Sequence, residues 1–184
     1  MVLPLARTNA EAHLYMDLHP CDCGEIRFPR ASAVVTTPTG ELASRYTGVC
    51  PQDGVEREFL FRLPDRVLPP PSDGEVRYGG PEPSELIDPG EWMSVADAFA
   101  RSVPADTATL AADGLVTARA MLTNAAAAVD EVLKFIPAGA DRVPEDAFVT
   151  DRGRAAYAKE PGRFRRPRLE AVRDTYRSIA AQLP

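Results

Sequence analysis

Histidine is nearly absent from this chain: 184 residues hold two, His13 and His19. A conventional hydrolytic triad therefore has little to draw on. Neither H-E-x-x-H nor the deaminase pattern of H-x-E with P-C-x-x-C occurs, so two common zinc-enzyme signatures are missing. Gly79-Gly80-Pro81 lacks the lysine and following helix of a phosphate-binding loop. No apolar run approaches the roughly 20 residues that span a bilayer. The opening Met-Val-Leu-Pro-Leu-Ala stops at Arg7, too short for a signal h-region. These absences argue against an enzyme and a membrane protein, and the expectation is a cytoplasmic location. Cysteine is scarce too, with three residues, all between positions 21 and 50. In a reducing compartment an odd, clustered set favours thiolate ligands over disulfides.

The hydrophobic share of 45% and the charged share of 26% are ordinary for a globular chain that buries a core. The chemistry concentrates in one stretch. It begins His19-Pro20-Cys21-Asp22-Cys23-Gly24 and ends Cys50-Pro51-Gln52-Asp53-Gly54. Paired ligands in a tight turn supply two donors at once, and a glycine just after them permits unusual backbone angles. The intervening and following sequence alternates like a small antiparallel sheet. Residues 19–63 thus resemble a zinc ribbon, in which two Cys-rich turns hold one tetrahedral ion. The turn at Cys21 has one residue fewer than the usual C-x-x-C-G. The turn at Cys50 resembles C-P-x-C-G, with Asp53 where the last cysteine is expected. The resemblance implies a structural Zn2+ held by Cys21, Cys23, Cys50 and a fourth ligand, either Asp53 or His19. The competing reading is a metal-free remnant whose cysteines act as small apolar residues.

Taken in order, Thr8-Asn9-Ala10-Glu11 fits a capping box opening a short helix over 9–18. Alternation of Leu14, Met16 and Leu18 leaves a strand open there. Strands are expected over 33–37 and 41–47, turning at Pro38-Thr39-Gly40, and over 55–63. On the last, Val55, Arg57, Phe59, Phe61 and Leu63 share a face, and its aromatic end should bury against helices. Residues 64–90 carry seven prolines and read as a connector, with the triple proline extended and residues 76–78 a possible edge strand. Asp88-Pro89-Gly90-Glu91 starts a helix over 89–102. A long helix over 115–136, set off by a break at Gly114, buries Leu122, Ala126, Val129, Leu133 and Ile136. Asp151 caps a short helix to 160. The last helix, 167–183, carries a seam of Leu169, Val172, Tyr176, Ile179 and Leu183, read as bundle core.

Charge is unevenly spread. Residues 1–150 hold 12 Lys/Arg and 23 Asp/Glu, whereas residues 151–184 hold 9 and 4. The basic run Arg163-Phe164-Arg165-Arg166-Pro167-Arg168 could meet phosphates and stack a base. The other reading pairs these arginines with the chain's own acids, such as Glu56, Glu58 or those of 82–91.

The sequence therefore predicts an α+β protein. A β-rich zinc-ribbon-like module with a short N-terminal helix fills 1–63, a Pro/Gly-rich connector 64–88, and a helical region packed on the module 89–184. The expected function is a non-enzymatic accessory or protein-interaction role, the partner being another protein and the zinc site a scaffold. A nucleic-acid-binding or regulatory role through 163–168 is the alternative, and a metal-dependent enzyme the third.

Overall fold

The computed structural model describes residues 3–66, 68–69 and 76–183. They form a three-stranded antiparallel sheet and five α-helices, with the strands preceding four of the helices. The chain divides into two compact units: one holds the residues up to 69 with Ser84–Leu86, the other Ile87 onward with the stretch ending at Pro83. The division thus falls inside the proline-rich stretch read as connector. The triple proline lies partly outside the described residues.

The first unit opens with α1 (Asn9–Leu18), followed by β1 (Ala31–Thr36), β2 (Leu42–Val49) and β3 (Glu56–Arg62). The helical reading of 9–18 wins over the strand, because Thr8 accepts the Glu11 N–H at 3.1 Å as a cap. Glu11 has a larger task than capping. Its fully buried carboxylate takes the Arg7 N–H at 2.8 Å, the Arg7 guanidinium at 2.5 Å and the Ser84 hydroxyl at 2.6 Å. A carboxylate removed from water is tolerable only with such a counter-charge and donors for its remaining lone pairs.

Strand order is β1-β2-β3. Val34, Ser44 and Phe61 lie abreast, as do Ser32, Tyr46 and Phe59. This is the face of α1: the Tyr15 ring meets Phe61 edge-on at 5.5 Å and Phe59 at 6.3 Å. Phe61 is 1% exposed, whereas Phe59 is half-buried. The N-terminal segment covers part of the outer side of β3, with Arg62 N–H bonded to the Pro4 carbonyl at 2.9 Å. On β1, by contrast, every residue but Val35 is exposed.

In the second unit, α2 (Pro89–Arg101), α3 (Ala112–Leu133), α4 (Asp151–Lys159) and α5 (Arg166–Ala181) pack chiefly as α3 against α2 and α5. Between two neighbours α3 buries more than one stripe: Ala118, Leu122, Ala125, Ala126, Ala128, Val129 and Val132 are all inside. The run of alanines permits that close approach on two sides. The helix starts at Ala112, so Gly114 sits within its first turn rather than breaking it.

Three further expectations for this unit are revised. Residues 76–78 form no strand; Tyr78 is buried against Trp92 with ring centres 5.0 Å apart, and its hydroxyl donates to Asn124 Oδ1 at 2.9 Å. A tyrosine with both a ring partner and a hydroxyl acceptor has no need of a ladder. On α5 the seam is only partly core. Leu169 is buried, but Ile179 is 40% exposed while Ala180 beside it is buried. Finally, Thr150 rather than Asp151 caps α4, accepting the Gly153 N–H at 2.9 Å.

Asp88 ties α2 to α4. One oxygen caps α2 through Gly90 N–H and Glu91 N–H at 2.9 and 3.0 Å, and the other accepts from Thr150 N–H and its hydroxyl at 2.9 and 2.7 Å. A single buried carboxylate thus takes two free backbone donors at the start of α2 and both donors of the residue that caps α4. Gly90 and Gly153 allow the approach: a Cβ on Gly153 would lie 2.0 Å from the Asp88 carboxylate.

Candidate metal centre

Both cysteine turns are built the same way. In the first, Cys21 N–H bonds to the Glu25 carbonyl at 2.9 Å and Gly24 N–H to the Cys21 carbonyl at 2.7 Å. In the second, Cys50 N–H bonds to the Val55 carbonyl at 2.9 Å and Gly54 N–H to the Cys50 carbonyl at 3.0 Å. Gly24 and Gly54 have φ of +90° and +77°, the left-handed region that a side chain disfavours. The second turn leads directly from β2 into β3, so the sheet pairing fixes its place.

The two turns bring four side chains together. The ligand atoms of Cys21, Cys23, Cys50 and Asp53 all lie within 4.8 Å of one another. Cys21 Sγ is 3.2 Å from Asp53 Oδ2, and Cys23 Sγ is 3.5 Å from Cys50 Sγ. Sulfurs bound about 2.3 Å from one tetrahedral ion sit about 3.8 Å apart, so these spacings need little adjustment to hold a metal ion. Cys21 and Cys50 are buried; Cys23 and Asp53 are exposed.

Asp53 is oriented by its own turn. Its Oδ1 accepts the Val55 N–H at 3.0 Å, which leaves Oδ2 facing the sulfurs. The Val55 N–H, helped by the Cys50 and Cys21 thiols, holds this carboxyl well below the usual range. Opposite forces act on the thiols. The Glu25 N–H favours the Cys23 thiolate, but partial desolvation and the crowding of Cys50, Asp53 and Cys21 outweigh it and push the thiol up to about 12. Cys21 is likewise raised: the Cys23 N–H favours its thiolate, but desolvation and the Asp53 carboxylate prevail. A divalent cation reverses this balance, because it deprotonates a coordinating thiol.

No known protein family, curated protein or solved structure matches the chain.

His19 lies outside the group. Its ring stacks on Tyr15 at 3.9 Å, and its Nδ1–H donates to the Tyr15 carbonyl at 2.8 Å. That bond one helical turn back along α1 turns the imidazole toward the helix end. The His19 carbonyl accepts from Arg57, whose guanidinium lies over Phe28 and Phe59 at 4.8 and 5.0 Å. Arg57 thus connects β3 to the start of the first turn. The strand alternation places Arg57 on the Phe59 face, but nothing in the sequence names a carbonyl as its target. The local signal for the Val55 bond to Asp53 is Asp-Gly-Val, a side-chain-to-backbone turn sequence.

The four arginines of residues 163–168 belong to the second unit, and two of them meet acids there, while Arg166 Nε donates to the Ala140 carbonyl at 3.5 Å. Arg163 pairs with Asp97, and Arg165 lies 3.7 Å from Asp141. Neither acid is among those expected from the sequence. Phe164 is 1% exposed, held edge-on against Phe148 at 4.8 Å, so its ring is occupied as a core anchor.

Proposed function

We propose that the first unit is a zinc-stabilised ribbon serving a non-enzymatic, protein-interaction role. The observation that carries the metal reading is the convergence of three sulfurs and one carboxylate oxygen within 4.8 Å, drawn from two turns 27 residues apart. Three soft sulfurs suit zinc among common divalent ions, and magnesium or calcium would want an all-oxygen set. Such an ion cross-links the first turn to the β2–β3 turn, and its binding energy becomes folding energy for a unit with a modest core. The ion's part is structural: it fixes the sheet, and the sheet presents the interaction surface. The exposure of β1 along nearly its whole length, with Val34 65% exposed, supports that surface.

The test is elemental analysis of protein purified without chelator. The expected result is about one zinc per chain, lost with a strong chelator together with the sheet's thermal transition. Zinc-free protein with an unchanged transition overturns the reading.

A further inference from the structure

We propose that Cys23 and Cys50 form a reversible disulfide that expels the metal from this centre; the proposal rests on the zinc reading above. The two sulfurs are already 3.5 Å apart. A disulfide sets them at about 2.05 Å, so a closing movement of about 1.5 Å suffices. Cys23 is exposed, where an oxidant arrives, and Cys50 is 1% exposed, where another thiolate waits shielded. The third sulfur is placed differently. Cys21 Sγ contacts Asp53 Oδ2, and Cys21 shares with Cys23 one tight turn clamped by the Gly24 N–H.

The reaction takes hydrogen peroxide as its oxidant. In the loaded centre the sulfurs are thiolates. Attack of Cys23 Sγ on the peroxide breaks its O–O bond, giving a sulfenic acid and hydroxide. Attack of Cys50 Sγ on that sulfur forms the S–S bond and expels a second hydroxide. Two protons from solvent convert both hydroxides to water. Two thiolates have lost two electrons in all, and the peroxide has gained them. Of the four side chains that would hold an ion, only Cys21 and Asp53 then remain available, and the ion would be released. The disulfide joins the same two turns that the ion joined, so a covalent cross-link replaces the metal one and the sheet stays closed.

The test uses the whole 184-residue chain. Its zinc content is measured first. Hydrogen peroxide is then added, released zinc is read with a chromogenic chelator, and disulfides are mapped without reduction. The expected result is one zinc released per Cys23–Cys50 disulfide, with Cys21 left open to alkylation and the sheet's circular dichroism retained. Dithiothreitol and added zinc should restore the starting state. Sulfinic acid at Cys23, a link through Cys21, or a disulfide with zinc retained overturns the proposal. Zinc-free starting protein refutes the metal reading and the expulsion step, and the disulfide map then still decides the pairing.

Discussion

At the scale of single residues, Asp53 carries the departure from an all-sulfur centre. A thiolate binds zinc more strongly than a carboxylate oxygen here, because it suits the softer character of a three-sulfur site. Asp53→Cys should therefore tighten zinc binding, and Asp53→Ala should weaken it by roughly tenfold to a hundredfold or more. His19→Ala should leave affinity nearly unchanged, since its ring is turned to Tyr15. Competition titration against a chelator of known affinity reads all three. A large loss in His19→Ala would return that ring to the ligand set. Phe61 and Phe59 form another residue-scale pair. Phe61→Ala should cost about 3–5 kcal/mol as a core truncation. Phe59→Ala should cost less, because the half-buried ring already shares its faces with Phe28 and Arg57. Urea titration followed through the sheet separates them, and equal losses would contradict the burial difference.

At the scale of elements, the α2–α4 junction concentrates several weak interactions on one carboxylate. Asp88→Ala removes the α2 cap and leaves the Thr150 donors without their acceptor. A lost cap alone costs about 1 kcal/mol, and a stranded donor adds about 1–3 kcal/mol. Gly153→Ala should be as damaging by a different route, since the new methyl would meet the carboxylate at 2.0 Å. Thermal unfolding of the helical unit is the measurement. An unchanged midpoint in Gly153→Ala would mean that α2 and α4 can part without loss. Only half of this junction could be read from the sequence. The cap at 88 was legible, because Asp-Pro-Gly-Glu is a helix start. Its other use was not, because Thr150 lies 62 residues away and only packing brings it there.

At the scale of the whole molecule, the charge asymmetry decides between readings. The basic segment sits on a chain of net charge −6, and Arg163 and Arg165 are engaged by Asp97 and Asp141. A phosphate backbone would have to displace these partners and overcome the net repulsion. Binding to random-sequence DNA or RNA should therefore be weaker than about 10 µM at physiological salt, within the nonspecific range. Fluorescence anisotropy at two salt concentrations measures it. Tight binding with a steep salt slope, lost when Arg165, Arg166 and Arg168 are replaced together by Ala, would favour the nucleic-acid role. No helix among the described residues is long and apolar enough to cross a membrane.

Local signals marked the ends of α1, because Thr8 and Pro20 bracket it chemically, but the alternation of Leu14, Met16 and Leu18 left helix and strand both open. They determined the strands to within a few residues, since period-two alternation survives folding. They also picked out Cys21, Cys23 and Cys50, with Asp53 and His19 both open as the fourth ligand, in turns encoded by glycines at the needed left-handed positions. Tertiary structure decided which donors converge. It set Asp53 among the sulfurs and turned His19 away, although His19 is the nearer of the two to a cysteine in sequence. It chose the partners of the arginines at 163–168 and the exposure of Ile179, which seam spacing had assigned to the core. It also drew Tyr78 out of a supposed strand and under Trp92. Spacing along a chain fixes only what a residue's near neighbours can offer. Counter-charges, ring partners and acceptors come from distant segments, and the sequence does not say which of several comparable partners the packed chain will bring within reach.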